Sequence, residues 1–129
     1  MTMKLMVLAG VLISSAAHAG SGPSFTKDLA PILKTRCATC HLTGAEAGRM
    51  ALHPAAAYDS LVKVQSIEAA NLKRVQPHKP EASYLLMKLE GTHIANGGKG
   101  ARMPFGAPPL PPEQIALFKA WIKAGAKKN

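Results

Sequence analysis

Cys37-Ala38-Thr39-Cys40-His41 is the stretch around which this chain is read. On a helix, residues i, i+3 and i+4 share one face, so Cys37, Cys40 and His41 point the same way. They are also the only two cysteines of the 129 residues, with a histidine directly after the second. C-x-x-C-H is the spacing by which a chain attaches a c-type haem: each thiol adds to one vinyl group, and the histidine reaches the iron from the same side. Three other uses of the pair compete with that one. A disulfide between cysteines three apart closes too small a loop to constrain the unfolded chain much. Zinc usually requires a second ligand pair, and no further Cys pair or H-x3-5-H follows. A thioredoxin-like pair belongs in a βαβ setting, whereas the patterns here are helical.

The chain opens like a secretory signal. Lys4 supplies a positive start, Leu5 to Ile13 an apolar stretch, and Ala17-His18-Ala19 a small-residue cleavage site. Nine apolar residues fall short of the roughly 20 that span a bilayer, so the expected leader covers 1–19 and the mature chain has no membrane span. Export is expected to place the protein in the periplasm. Residues 20–129 then form one domain of about 110 residues, small enough for a bound cofactor to carry part of the core. Aromatic residues make up only 5% of the chain, which leaves volume for a porphyrin.

Sixteen Lys and Arg against seven Asp and Glu give a net charge of +9. Without Lys4 and with two haem propionates the value falls to about +6, still cationic. Such a surface suits a redox donor and acceptor with an acidic docking face, or serves solubility alone. Nucleic acid is not indicated, because the basic residues are scattered and no nucleic-acid motif accompanies them.

Apolar spacing predicts an all-α domain with four or so helices. A first helix starts around Phe25 to Asp28, is regular from about Asp28, and runs to the motif with Leu29, Ile32 and Leu33 buried; Pro31 fits only its first turn. His53-Pro54 opens a second, carrying Tyr58, Leu61 and Val62. A third spans Pro80 to Glu90, buries Ala82, Leu85, Leu86 and Leu89, and stops at Gly91. The fourth starts at Pro112 and ends at Gly125, with Ile115, Phe118, Trp121 and Ile122 inward. Trp121 is expected to pack near Leu29 to Leu33, and Met50 and Leu52 to touch the haem edge.

One iron face falls to His41, and the other decides the function. Met50 is only nine residues on, too near for the chain to pass around the porphyrin. Met87 reads as a helix gap-filler, and His53 and His78 as surface residues near prolines. Met103 lies in the irregular Gly- and Pro-rich run between Gly91 and Pro112, where backbone can come close to a cofactor, and a thioether suits haem iron. Met103 is therefore expected as the sixth ligand, with His93 next and an open position the remaining choice.

The stretches Phe25 to Cys37, Cys40-His41, Pro77 to Leu89, Met103-Pro104 and Trp121 to Ala126 together resemble class I monohaem c-type cytochromes. Within them, the chain is similar to planctomycete-type cytochrome c domains. The resemblance implies a cytochrome c-like fold wrapped around one covalent haem c, with Cys37 and Cys40 as thioether anchors and His41 and Met103 as axial ligands. A sixth protein ligand is expected to mean an electron carrier, not an enzyme; the family also occurs as domains fused to larger enzymes, so the resemblance does not identify the redox partner. His78 stands where relatives often carry glycine in a P-G-x-P turn. The alternative function is a haem sensor or peroxidase-like enzyme with an open sixth position, for which Arg102 and His93 are the polar groups nearest in sequence.

Overall fold

The computed structural model describes residues 22–129, so the expected leader over 1–19 lies outside the described residues. Phe25–Leu29 forms a single wide π-helical turn that runs straight into α1, Ala30–Arg36. Ser24 caps it: its Oγ accepts from the Lys27 N–H while its own N–H donates to Asp28 Oδ2 at 2.7 Å. The regular helix thus begins at Ala30, two residues later than the spacing predicts. Pro31 lies in its first turn, where its missing N–H leaves no intrahelical bond unmade.

The second helix is short. Ala56 and Ala57 both donate to the His53 carbonyl, α2 covers only Ala57–Leu61, and Val62 turns extended to bridge Val75. The expected third helix is divided. A 3₁₀ turn, Pro80–Ala82, precedes α3, Tyr84–Glu90, and Ser83 between them is extended. Ser83 is fully buried; its Oγ donates to the Lys79 carbonyl at 2.9 Å and accepts from the Gln76 N–H at 2.9 Å. A hydroxyl engaged with nearby backbone in this way competes with helix continuation. Gly91 closes α3 at φ +78°, the left-handed conformation that glycine adopts without strain.

The run to Pro112 is irregular apart from a 3₁₀ turn, Ile94–Asn96. α4, Pro112–Lys123, is the longest helix described, and buries Phe118, Trp121 and Ile122. Among the described residues the only β pairing is three isolated bridges, so the domain is all-α. None of the described helices is long and apolar enough to cross a membrane.

One core joins the elements: Leu29 and Leu33 from the first segment, Leu61 from α2, Val75, Leu86 and Leu89 around α3, and Phe118, Trp121 and Ile122 from α4. Trp121, 1% exposed, packs on Phe25 with ring centres 5.3 Å apart, in the same core cluster as the expected Leu29 and Leu33. Tyr58 meets Phe25 edge-on at 5.3 Å and completes an aromatic trio at one end of the core. The chain closes over the same end. Asn129 accepts from Thr26 N–H and Ser24 Oγ through its backbone and from Phe25 N–H through Oδ1, all within 2.9 Å.

Candidate cofactor site

α1 stops at Arg36, so Cys37, Cys40 and His41 do not sit within the helix as their spacing predicts. Cys37 leaves helical geometry at φ −131° while its N–H still reaches Leu33 O. The chain then continues as turns: Cys40 N–H bonds to Cys37 O at 3.2 Å and His41 N–H to the same carbonyl at 3.0 Å. That last bond is a helical i to i+4 step, so the backbone from Cys37 to His41 still spans one turn. Both thiols are free. Cys37 is partly buried against the core and Cys40 is exposed. Burial pushes the Cys37 thiol up to about 11, against a smaller opposite pull from Arg36, so it is a neutral thiol at pH 7.

His41 is half-buried. Its carbonyl accepts from Leu52 N–H at 2.7 Å, and its Nδ1 is sealed from solvent without a hydrogen-bond partner. Gly48, at φ +83°, makes room beside it: a Cβ there would lie 2.8 Å from the Met50 methyl and 3.7 Å from His41 Cε1. Met50 therefore sits beside the imidazole, on the side of His41. Between them, Glu46 accepts from Thr43 N–H, Thr43 Oγ1 and Gly44 N–H; its own backbone N–H and these donors hold its carboxyl down at about 2.

This loop is held from beneath by Arg74, a residue no local pattern marks. Only 6% exposed, its guanidinium donates to the carbonyls of Ser60 at 2.7 Å, Gly48 at 2.8 Å and Arg49 at 3.0 Å. A buried cation satisfied by three carbonyls fixes the backbone that walls His41.

Met103 is half-buried in its loop, beside Phe105, which is 75% exposed. Its N–H donates to Lys88 O at 3.0 Å and Arg102 Nε to Leu89 O at 2.9 Å, so the end of α3 carries it. Arg36 Nη2 donates to Pro108 O at 2.7 Å. The helix that delivers Cys37 is thereby tied to the loop that delivers Met103.

The other candidates are otherwise employed. His93 is a buried loop residue: it is 2% exposed, and its Nε2 lies 2.9 Å from Gly100 O. Met87 is buried with Ala69 and Tyr84, as a gap-filler should be. His78 is exposed, at φ +67°. His53 serves through its carbonyl, which starts α2.

Two free thiols and an imidazole carried on one turn of backbone fit a porphyrin that brings most of its own iron ligands. No group of three or more His, Cys, Asp or Glu side chains that could hold a bare ion occurs among the described residues. Comparison of the chain with protein-family models, with curated proteins and with solved structures returned no match.

Proposed function

We propose that this chain is an exported, soluble electron-transfer protein of the class I cytochrome c type, carrying one covalent haem c in the periplasm. The observation that carries the reading is the turn at Cys37, where the His41 N–H to Cys37 O bond of 3.0 Å keeps the residues bearing two free thiols and an imidazole on one turn of backbone. Cys37 and Cys40 would form the thioethers, and His41 and Met103 would be the axial ligands. When bound, the haem supplies one-electron chemistry, which the axial ligands and burial tune.

The chain's own residues do the holding. Arg74 fixes the backbone beside His41, Arg36 joins the attachment helix to the Met103 loop, and Lys88 O receives the Met103 N–H. Of the two polar side chains that an open-site sensor or peroxidase would use, Arg102 directs its Nε to the Leu89 carbonyl and His93 its Nε2 to the Gly100 carbonyl. That favours a filled sixth position. Redox partners with an acidic face suit the charge of about +6 that the exported holoprotein would carry.

Replacing Met103 by Ala tests this. The ferric holoprotein should shift toward high spin, its potential should fall, and the ferrous form should bind carbon monoxide readily, while Met50→Ala and Met87→Ala keep the parent spectrum. A parent protein that already binds carbon monoxide rapidly would have an open site, and the carrier reading would fail. Haem that withstands acidic organic solvent after Cys37→Ser and Cys40→Ser together would sink the attachment itself.

A further inference from the structure

Beneath the 98–103 segment lies a polar cluster that the attachment chemistry does not use. Tyr84 Oη donates to Glu68 Oε2 at 2.6 Å, and Lys88 Nζ donates to the same oxygen at 3.1 Å. Lys88 is only 7% exposed, and a buried ammonium persists where partners surround it. Its second hydrogen bond goes to the Lys99 carbonyl at 2.9 Å, while the Lys99 N–H reaches back to Tyr84 Oη at 3.3 Å. His93 adds the contact to Gly100 O.

These anchors are concentrated on one short run of chain. Lys88 grips both of its ends, Nζ on Lys99 O and its own carbonyl on the Met103 N–H, with Arg102 Nε held by the next carbonyl, Leu89 O. The run lies flat on the cluster because of its glycines. A Cβ at Gly98 would stand 2.5 Å from Tyr84 Oη and 2.8 Å from His93 O, contacts that real side chains do not make.

We infer that Glu68, Tyr84 and Lys88, with His93, form a positioning device that holds Met103 toward the iron; the inference rests on Met103 being the sixth ligand. None of the four need touch the cofactor. Together they fix the backbone on which the thioether is mounted, so that dissociation of Met103 requires the 99–103 run to lift from the cluster. A purely structural role would affect global stability and leave ligation alone.

The test uses the holoprotein. Tyr84→Phe removes one hydroxyl without changing shape, Lys88→Met removes the grip on Lys99, and Val75→Ala destabilises the core elsewhere. Amide exchange over 99–103 and the rate of carbon monoxide binding to the ferrous form are measured together with the melting temperature. Tyr84→Phe should raise both rates about tenfold, the equivalent of one lost hydrogen bond, and Lys88→Met should raise them further. Val75→Ala should lower the melting temperature and leave carbon monoxide binding at the parent rate. If Lys88→Met does not fold, Tyr84→Phe alone decides. Faster exchange with an unchanged carbon monoxide rate would overturn the positioning role, as would carbon monoxide rates that simply follow melting temperature in all three variants. Met103→Ala separates the premises: if it binds carbon monoxide no faster than the parent, the ligand assignment itself is wrong, whereas a fast Met103→Ala beside a slow Tyr84→Phe sinks only the device.

Discussion

Arg36 and Pro108 stand 72 positions apart and are joined by one hydrogen bond, from Nη2 to the carbonyl oxygen at 2.7 Å. The bond links the last residue of α1, next to Cys37, with the loop five residues beyond Met103. A charged donor to a carbonyl contributes about 1 kcal/mol when partly exposed to water. Arg36→Met keeps the apolar stem and removes the donor. It should lower stability to urea by about that amount, and proteolytic cleavage after Met103 should become faster in limited digestion. A variant that is digested at the parent rate would show that the loop holds its place without Arg36.

The aromatic end of the core makes a second case. Trp121 Nε1 donates to Lys127 O at 2.9 Å, and Asn129 serves three groups of residues 24–26. Ending the chain after Ala126 removes all of these and leaves a buried indole N–H without a partner. A loss of about 2 to 4 kcal/mol is expected, since each orphaned buried donor costs about 1 to 3 kcal/mol. The exposed Lys128–Asp59 ion pair, lost as well, should contribute little. Chemical denaturation followed by Trp121 fluorescence measures the sum. Asn129→Ala, which removes only the Oδ1 contact to Phe25, should cost a minor part of it.

Much of this fold is legible in the chain because apolar spacing follows element geometry: Leu29, Ile32 and Leu33, and Phe118, Trp121 and Ile122, are buried as their periodicity predicts, and Gly91 ends α3. What periodicity does not reveal are side chains whose partners are distant backbone groups. Arg74 reaches Gly48 across 26 residues and Lys88 reaches Lys99 across 11, and each reads locally as an ordinary surface cation. Ser83 breaks the third helix for a related reason, since a hydroxyl's choice of backbone partner depends on how Gln76 and Lys79 are placed. At the site, the Cys and His spacing suggests the proposed haem chemistry but does not show where the helix ends. The step at Cys37 from helix to turns leaves no mark in residue type.

His78 provides a test of local strain. It sits at φ +67°, its N–H donates to Ile122 O at 2.8 Å, and its ring faces Gly125, where a Cβ would lie 2.8 Å from Cε1. The left-handed conformation costs a non-glycine residue about 1 kcal/mol. Glycine would relieve that but adds a similar freedom to the unfolded chain, about 0.4 to 1 kcal/mol. His78→Gly should therefore melt within a few degrees of the parent. His78→Val, β-branched and least suited to positive φ, should be destabilised by more than about 1 kcal/mol. Equal melting temperatures for the two variants would mean that the turn relaxes out of the left-handed region.

The Glu68 and Tyr84 pair makes stability depend on pH at both extremes. Burial and the hydrogen bond to Glu68 push the Tyr84 hydroxyl from 10.0 up to about 12. A raised folded value stabilises the protein fully below pH 10 and loses that contribution as pH climbs toward 12, because the unfolded chain releases its proton first. Glu68 runs the other way. Burial raises its carboxyl, but the hydrogen bonds from Tyr84 and Lys88 and the Lys88 charge outweigh it and leave the group below its ordinary 4.5. Its contribution is present above that value and disappears as pH falls through the lowered one. Other groups titrate at both ends, so the comparison has to be between variants. Melting temperatures of the parent should fall more steeply than those of Tyr84→Phe between pH 10 and 12, because the phenylalanine has no proton to lose. Below pH 4.5 the parent should likewise lose more than Glu68→Gln, whose amide does not titrate. Parallel curves for parent and Tyr84→Phe across the alkaline range would show that the hydroxyl is not held neutral by the fold, and that its contact with Glu68 does not persist in solution.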